Sequence, residues 1–322
     1  MESFLNTYFA SANGYSGFRS YFQEVFNPEH FDRLFILKGG PGSGKSTLMK
    51  RIAKRYDGEL AVEKILCSSD KASLDGVIIK SEKRRVAVID GTAPHTKDPI
   101  YPGAIDEIVS LGDFWNADSL ISQREEILAL SHAKALHYKN AYEYLASIKK
   151  EYEKELEKSQ NVYFKHLIKS RNITKRLVSS FSKDGYFTLP TSKFYKKSKR
   201  IKGDIFSVSD YLKDEILNSK RDGLILFISP LDDSILEGYF DFSNSELVFS
   251  SLKDADTEIT LFRASESQNS SILISRAKLE FSLASEAHMA LEKIYTASMD
   301  FDKMSIGVER VFKNIESVIY SQ

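Results

Sequence analysis

One cysteine, Cys67, stands in 322 residues, so the chain forms no internal disulfide and suits a reducing compartment. In Leu66-Cys67-Ser68, at an apolar strand end, it reads as a packed thiol more than a nucleophile. No apolar run approaches the length of a membrane span, and the opening MESFLNTYFASANG lacks a basic stretch followed by an apolar core. A cytoplasmic protein with no membrane contact is therefore expected. Net charge is also missing, with 45 Lys and Arg against 45 Asp and Glu, which excludes an overall field favouring nucleic acid or membrane. The histidines and the cysteine do not cluster at metal-ligand spacing, and no G-x-S-x-G elbow or Cys-His pair is present.

Glycine and proline are absent between Gly112 and Gly185, where charged and apolar residues alternate at helical spacing. Leu128, Ala135 and Tyr142 recur every seven residues, as do Tyr138, Leu145 and Tyr152, which predicts a helical arm packed as a local pair, with Lys149 interrupting the seam.

What is present is concentrated at GGPGSGKST, Gly39 to Thr47, which meets G-x-x-x-x-G-K-[ST] through Gly39, Gly44, Lys45 and Ser46. Gly39, Gly40, Pro41, Gly42, Ser43 and Gly44 would wrap an anion with inward N–H groups at the positive end of a helix. Lys45 would reach the β- and γ-phosphates, Ser46 would ligate Mg²⁺, and Thr47 would extend the loop's contacts. Leu34 to Leu37 read as a buried strand before the loop, and Leu48, Met49, Ile52, Ala53 and Tyr56 as one helical face after it, closed by Gly58. A second apolar strand, Val86 to Ile89, ends in Asp90, the expected partner of the Mg²⁺ shell. After it runs GTAPHTKDPIYPGAIDE, whose His95 and Asp98 are candidates to orient water or accept a proton, with Asp70 and Asp75 as further acids or simple turn formers.

Charge is uneven locally. From Gln160 to Lys202 twelve Lys or Arg face Asp184 alone, including Lys165, Lys169, Arg171, Lys175, Arg176 and the run Lys193 to Lys202. The readings of segment 160–202 are a solvated basic linker, a nucleic-acid or other anionic partner, or cations aimed at the nucleotide, with Arg171, Arg176 and Arg200 as candidate fingers.

The halves echo each other in order. Leu74-Asp75-Gly76 matches Leu236-Glu237-Gly238, Leu37-Lys38-Gly39 matches Ile201-Lys202-Gly203, Phe9 to Phe18 matches Val178 to Phe187, and His137 to Ile148 matches His288 to Met299. Opposite the glycine loop stands GDIFSVSDY, with Asp210 facing Ser46 in this alignment, so the rear half is expected to bind no nucleotide.

FASANGYSGF, ILKGGPGSGKSTLMKRIA, LDGVII, VAVIDGTAPHTKDPIYPGAIDEIVSLGDFW and MALEKIYTASMDF together resemble a bacterial family of tandem P-loop ATPase or nucleotide-kinase-like proteins, in which two P-loop modules are fused. The resemblance implies nucleotide binding; GDIFSVSDY departs from a family pattern with a glycine-rich loop in each half.

The expected fold is α/β: a P-loop NTPase-like parallel sheet, a long helical arm and a second, degenerate P-loop-like half, divided as 1–118, 119–178 and 179–322. Rear strands are expected near Leu224 to Ile228, Leu247 to Ser250 and Ile259 to Phe262. The expected function is Mg²⁺-dependent ATP binding and hydrolysis at one front site with Lys45, Asp90 and His95 as reacting groups. Its alternatives are a small-molecule or nucleotide kinase and a nucleotide sensor that scarcely turns ATP over.

Overall fold

The computed structural model describes residues 4–154, 157, 164, 173–189, 195–219, 221–261 and 268–321. It forms two compact units interleaved along the chain, the first gathering Ser20–Lys139 and Glu280–Gln322, the second Glu2–Arg19 and Asn140–Leu279. The division thus differs from three successive ranges.

Three short strands open the chain, β1 (Thr7–Phe9), β2 (Ser11–Gly14) and β3 (Gly17–Ser20), followed by the one-turn helix α1 (Phe22–Val25). The first unit then runs through β4 (Arg33–Lys38), α2 (Lys45–Tyr56), β5 (Ala61–Leu66), β6 (Leu74–Lys80), β7 (Arg85–Asp90) and β8 (Asp106–Ser110). After these come α3 (Ala117–Ser122) and the long α4 (Arg124–Glu151). Its strands lie in the order β5-β6-β7-β4-β8. β4 is parallel to both neighbours, with Leu37 opposite Asp90, whereas β5-β6 and β6-β7 are antiparallel. Val77, Ile79, Val86, Val88, Phe35 and Leu37 turn one face toward α2, whose Leu48, Met49, Ile52, Ala53 and Tyr56 are buried.

That face is completed from the far end of the sequence. Helix α7 (Phe301–Ile319), which follows α6 (Gln268–Ala297), buries Met304, Val308, Val311, Ile315 and Ile319 in the same core. Their spacing of three and four keeps them on one stripe, and this is why the chain's last helices join the first unit.

The second unit holds β9 (Ile173–Arg176), the hairpin β10 (Ser179–Ser182) and β11 (Gly185–Thr188), β12 (Lys197–Lys202), α5 (Ile205–Asn218), β13 (Leu224–Ile228), β14 (Leu236–Asp241), β15 (Glu246–Phe249) and β16 (Thr257–Thr260). Its sheet runs β9-β13-β14-β15-β12-β16. β12 is parallel to β15 and β16, and β13-β14 and β14-β15 are antiparallel, so β13 to β16 repeat the directions of the front sheet strand for strand. Even the irregularity recurs. Register slips between Ile65 and Leu66 in front and between Phe227 and Ile228 behind, beside Gly76 and Gly238 respectively. A Cβ on Gly76 would meet Phe26 at 2.5 Å, and one on Gly238 would meet the Val248 carbonyl at 2.3 Å.

Several local expectations are corrected. The arm does not reach residue 178, because Ile173–Arg176 is a strand paired with β13. The basic run is not a linker over 197–202 but β12 itself, where Ser198 and Ile201 are buried. Three of its cations are met locally: Lys199 bonds Glu215 at 2.6 Å, Lys202 lies 2.7 Å from Glu258, and Arg200 lies 3.6 Å from Glu258. The last strand is Thr257–Thr260 rather than 259–262. Lys165, Lys169, Arg171 and Lys193 lie outside the described residues. No helix among those described is long and apolar enough to cross a membrane.

Candidate functional site

Strand β4 delivers the chain into the glycine loop at the carboxyl ends of the parallel strands, where open α/β sheets hold ligands. Gly42 and Gly44 have φ of +70° and +85°, conformations that L side chains rarely adopt. Gly44 caps α2 with no side-chain bond, so the first N–H groups of this helix meet no built-in carboxylate.

Lys45 folds back along the loop, its Nζ donating to the carbonyls of Gly39 at 2.6 Å and Gly40 at 2.8 Å, with Asp90 Oδ2 at 3.7 Å. Burial lowers its pKa and Asp90 opposes that shift. Asp90 is pushed upward by burial, against Lys45 and the Thr92 bonds. Thr92 donates its backbone N–H to Asp90 Oδ1 at 2.8 Å and its hydroxyl to the same oxygen, leaving Oδ2 on the Lys45 side. The Ser46 hydroxyl accepts the Leu74 N–H at 2.9 Å. Ser43 is buried and donates to the Gly40 carbonyl at 2.8 Å, fixing the loop from within.

The remaining candidates separate. His95 and Asp75 are each about 6% exposed at the side chain, with Nε2 3.1 Å from Oδ2, and the imidazole stacks on Phe22 at 4.3 Å. Asp98 is 78% exposed and pairs with Lys38 at 3.1 Å. Asp70 makes a turn, accepting from Ala72 N at 3.0 Å and Ser73 Oγ at 2.7 Å. Burial raises the Cys67 thiol well above its ordinary pKa, in keeping with a packed residue.

Sequence reasoning did not assign site roles to the groups that α6 adds. Thr296 donates to the Gly42 carbonyl at 3.3 Å, and a Cβ on Gly42 would lie 2.5 Å from both the Glu292 carbonyl and Thr296 Oγ1. Tyr295 and Trp115, with ring centroids 5.4 Å apart, wall Gly40, whose Cβ would meet them at 3.2 and 3.4 Å. The only signal for these contacts was the segment MALEKIYTASMDF.

The rear unit presents a different loop. Between β12 and α5 only Gly203 and Asp204 remain, and Asp204 Oδ1 accepts the N–H groups of Phe206 at 3.1 Å and Ser207 at 3.0 Å. Ser209, not Asp210, accepts the Leu236 N–H, at 3.0 Å, as Ser46 accepts that of Leu74. The alignment slips by one because a helical turn replaces the loop.

An acid-ended strand beside a strand, glycine loop and helix makes the first unit an α/β, P-loop NTPase-like structure. Similarity to known proteins points the same way. The chain is 32% identical over 82 residues to the hemin import ATP-binding protein HmuV of Burkholderia ambifaria, covering 26% of this chain and 30% of that protein. It is 31% identical over 85 residues to the HmuV proteins of Burkholderia cenocepacia and Burkholderia orbicola, covering 26% of this chain and 31% of each. The matched stretch thus spans less than a third of these relatives. No family model matches, and no solved structure matches.

Proposed function

We propose that the first unit binds Mg²⁺-ATP at Gly39 to Thr47 and hydrolyses it, and that the second unit is a degenerate copy that binds no nucleotide. The observation carrying the first part is the Lys45 ammonium, its side chain 11% exposed and folded along the glycine loop, met among the described residues by the loop's own carbonyls and a carboxylate at 3.7 Å. A triphosphate would take over those contacts with charge-assisted bonds, while loop N–H groups and the α2 terminus receive its other oxygens. The name of the HmuV relatives, an ATP-binding protein, favours ATP among nucleotides.

The residues fit Mg²⁺. Ser46 Oγ and Asp90 Oδ2 are hard oxygens, and two protein ligands beside phosphate oxygens satisfy an ion that retains water. No cluster of three or more His, Cys, Asp or Glu suited to a metal occurs among the described residues, so a protein-only cage is not the basis. When bound, the ion neutralises charge on the terminal phosphoryl oxygens. Lys45 donates to the same oxygens as their charge grows, Thr92 keeps Asp90 oriented, and His95 positions Asp75 from a buried stack.

Degeneracy of the rear unit is supported by the matching strand directions, the matching register slips and the Asp204 carboxylate standing where an anion would be needed. A second reading, a sensor that binds ATP and turns it over slowly, is favoured by the α6 groups pressed on Gly42. Phosphate release from Mg²⁺-ATP by the purified chain, reduced about a hundredfold or more in Lys45→Ala, is the expected result. Tight binding without turnover selects the sensor, and calorimetry without heat for any nucleoside triphosphate overturns both.

A further inference from the structure

In both sheets the residue skipped by the register slip is an acid. Ile65 pairs with Gly76 and Leu66 with Leu74, which leaves out Asp75; Phe227 pairs with Gly238 and Ile228 with Leu236, which leaves out Glu237. Bulges of this kind re-aim one side chain and often border functional sites. The preceding residue is tied down alike, Leu74 N–H to Ser46 at 2.9 Å and Leu236 N–H to Ser209 at 3.0 Å. What the two acids meet is different. Glu237 accepts from Ser179 Oγ at 2.6 Å and from Tyr186 OH. Asp75 is 4% exposed, and among the described residues its Oδ2 accepts no aligned hydrogen bond, although His95 Nε2 lies 3.1 Å away.

Strand pairing places Asp75 at the glycine loop. β6 and β7 stay in register through Val77–Val88 to Gly76–Ile89, and the next residues of the two strands are Asp75 and Asp90. Residues opposed across an antiparallel pair hold their Cβ atoms about 5 Å apart. β7 in turn sets Asp90 opposite Leu37, two residues before Gly39. Asp75 is thus held beside Ser46 through Leu74 and beside Asp90 across the strands. The other acids here are engaged: Asp90 by Lys45 and Thr92, Asp98 by Lys38 on an exposed loop, and Asp70 by its own turn. A buried carboxylate oxygen without a hydrogen bond is costly, and a water molecule donating to it removes that cost.

We propose that Asp75 holds the water that attacks the terminal phosphoryl group of the nucleotide bound at Gly39 to Ser46, with His95 as its positioning residue. The inference rests on the nucleotide reading above. The carboxylate accepts a hydrogen bond from the water and turns a lone pair of its oxygen toward phosphorus. The water oxygen bonds the phosphorus as the bond to the β–γ bridging oxygen breaks. That electron pair leaves with ADP, and both water hydrogens stay with the inorganic phosphate. His95, stacked on Phe22 at 4.3 Å, touches none of the reacting atoms and limits rotation of the carboxylate. In the rear unit, protein hydroxyls meet Glu237 in the water's place.

The test combines phosphate release from ATP with calorimetric titration of a non-hydrolysable ATP analogue, each with Mg²⁺, on wild type, Asp75→Asn and His95→Ala, after circular dichroism establishes folding. Expected for Asp75→Asn are a kcat lower by about a hundredfold or more and an analogue affinity within about threefold of wild type. His95→Ala should lower kcat by less, about tenfold, and again leave analogue affinity in place. Should Asp75→Asn fail to fold, Asp75→Glu carries the same test, because a carboxylate one methylene further out misplaces the water and keeps the charge. Unchanged kcat in the Asp75 variant overturns the assignment, as does a loss of analogue affinity as large as the loss of kcat. Unchanged kcat in His95→Ala overturns the positioning role. Wild type that binds no nucleotide overturns the underlying reading instead, and wild type that binds the analogue but releases no phosphate overturns its hydrolytic part and this assignment together.

Discussion

Ser46 receives the backbone N–H of Leu74 at 2.9 Å, so the hydroxyl proposed to meet Mg²⁺ also ties α2 to the start of β6. Ser209 does the same for Leu236 at 3.0 Å and has no glycine loop before it. Ser46→Ala should therefore lose about 1 kcal/mol in urea unfolding and also lose Mg²⁺-dependent nucleotide affinity. Ser209→Ala should lose about 1–3 kcal/mol, because a buried N–H is left unmet, with nucleotide affinity unchanged. Calorimetry and urea melts on both variants separate the two roles.

Gly42 and Gly58 both have positive φ, +70° and +85°, yet only Gly42 is crowded. Gly58→Ala carries the conformational cost alone, about 1 kcal/mol. Gly42→Ala adds a clash with the Glu292 carbonyl and should lower the melting temperature clearly further, while weakening nucleotide binding. Equal melting temperatures for the two variants would refute the close contact with α6.

Glu237 is buried in the rear sheet, accepting from Ser179 Oγ at 2.6 Å and from Tyr186 OH, and burial raises its pKa to about 7. The unfolded carboxyl titrates near about 4.3, so between that pH and about 7 the folded state holds the extra proton. Stability from this group is then fully present below about 4.3 and falls as pH rises, by up to about 1.4 kcal/mol per pH unit. Urea midpoints at pH 5 and pH 8 should fall more in wild type than in Glu237→Gln. An identical fall in both would mean the carboxyl ionises normally in the fold.

Ile315 is fully buried between α7 and the front sheet. Ile315→Ala should cost about 2–5 kcal/mol, read as an earlier unfolding transition. Exchange of the β4 and β7 amides should accelerate while that of β13 and β14 stays slow. Uniform acceleration across both sheets would contradict a core confined to the first unit.

The glycine loop and its flanks were legible because each needs a special backbone or a strict period, as Gly42, Gly44 and the α2 face illustrate. Edge elements were harder. β8 opens on two acids that hide its strand pattern, because Asp106 is buried to accept the Ile100 and Tyr101 N–H groups and Glu107 is held by Arg33 and Arg310 at 2.6 Å each. β12 hid for the same reason, its lysines answering acids on α5 and β16 that no local pattern announces. Glu292 and Thr296 approach the loop from sequence distances at which periodicity carries no information, so their contacts emerge only from packing.

The apolar lining of the glycine loop's helix comes partly from Phe301–Ile319, synthesised more than two hundred residues later. A chain cut short before this stretch would keep the glycine loop intact but lack its floor. The α2 face therefore closes only after residues 301–319 have joined the first unit, however early the glycine loop itself is made.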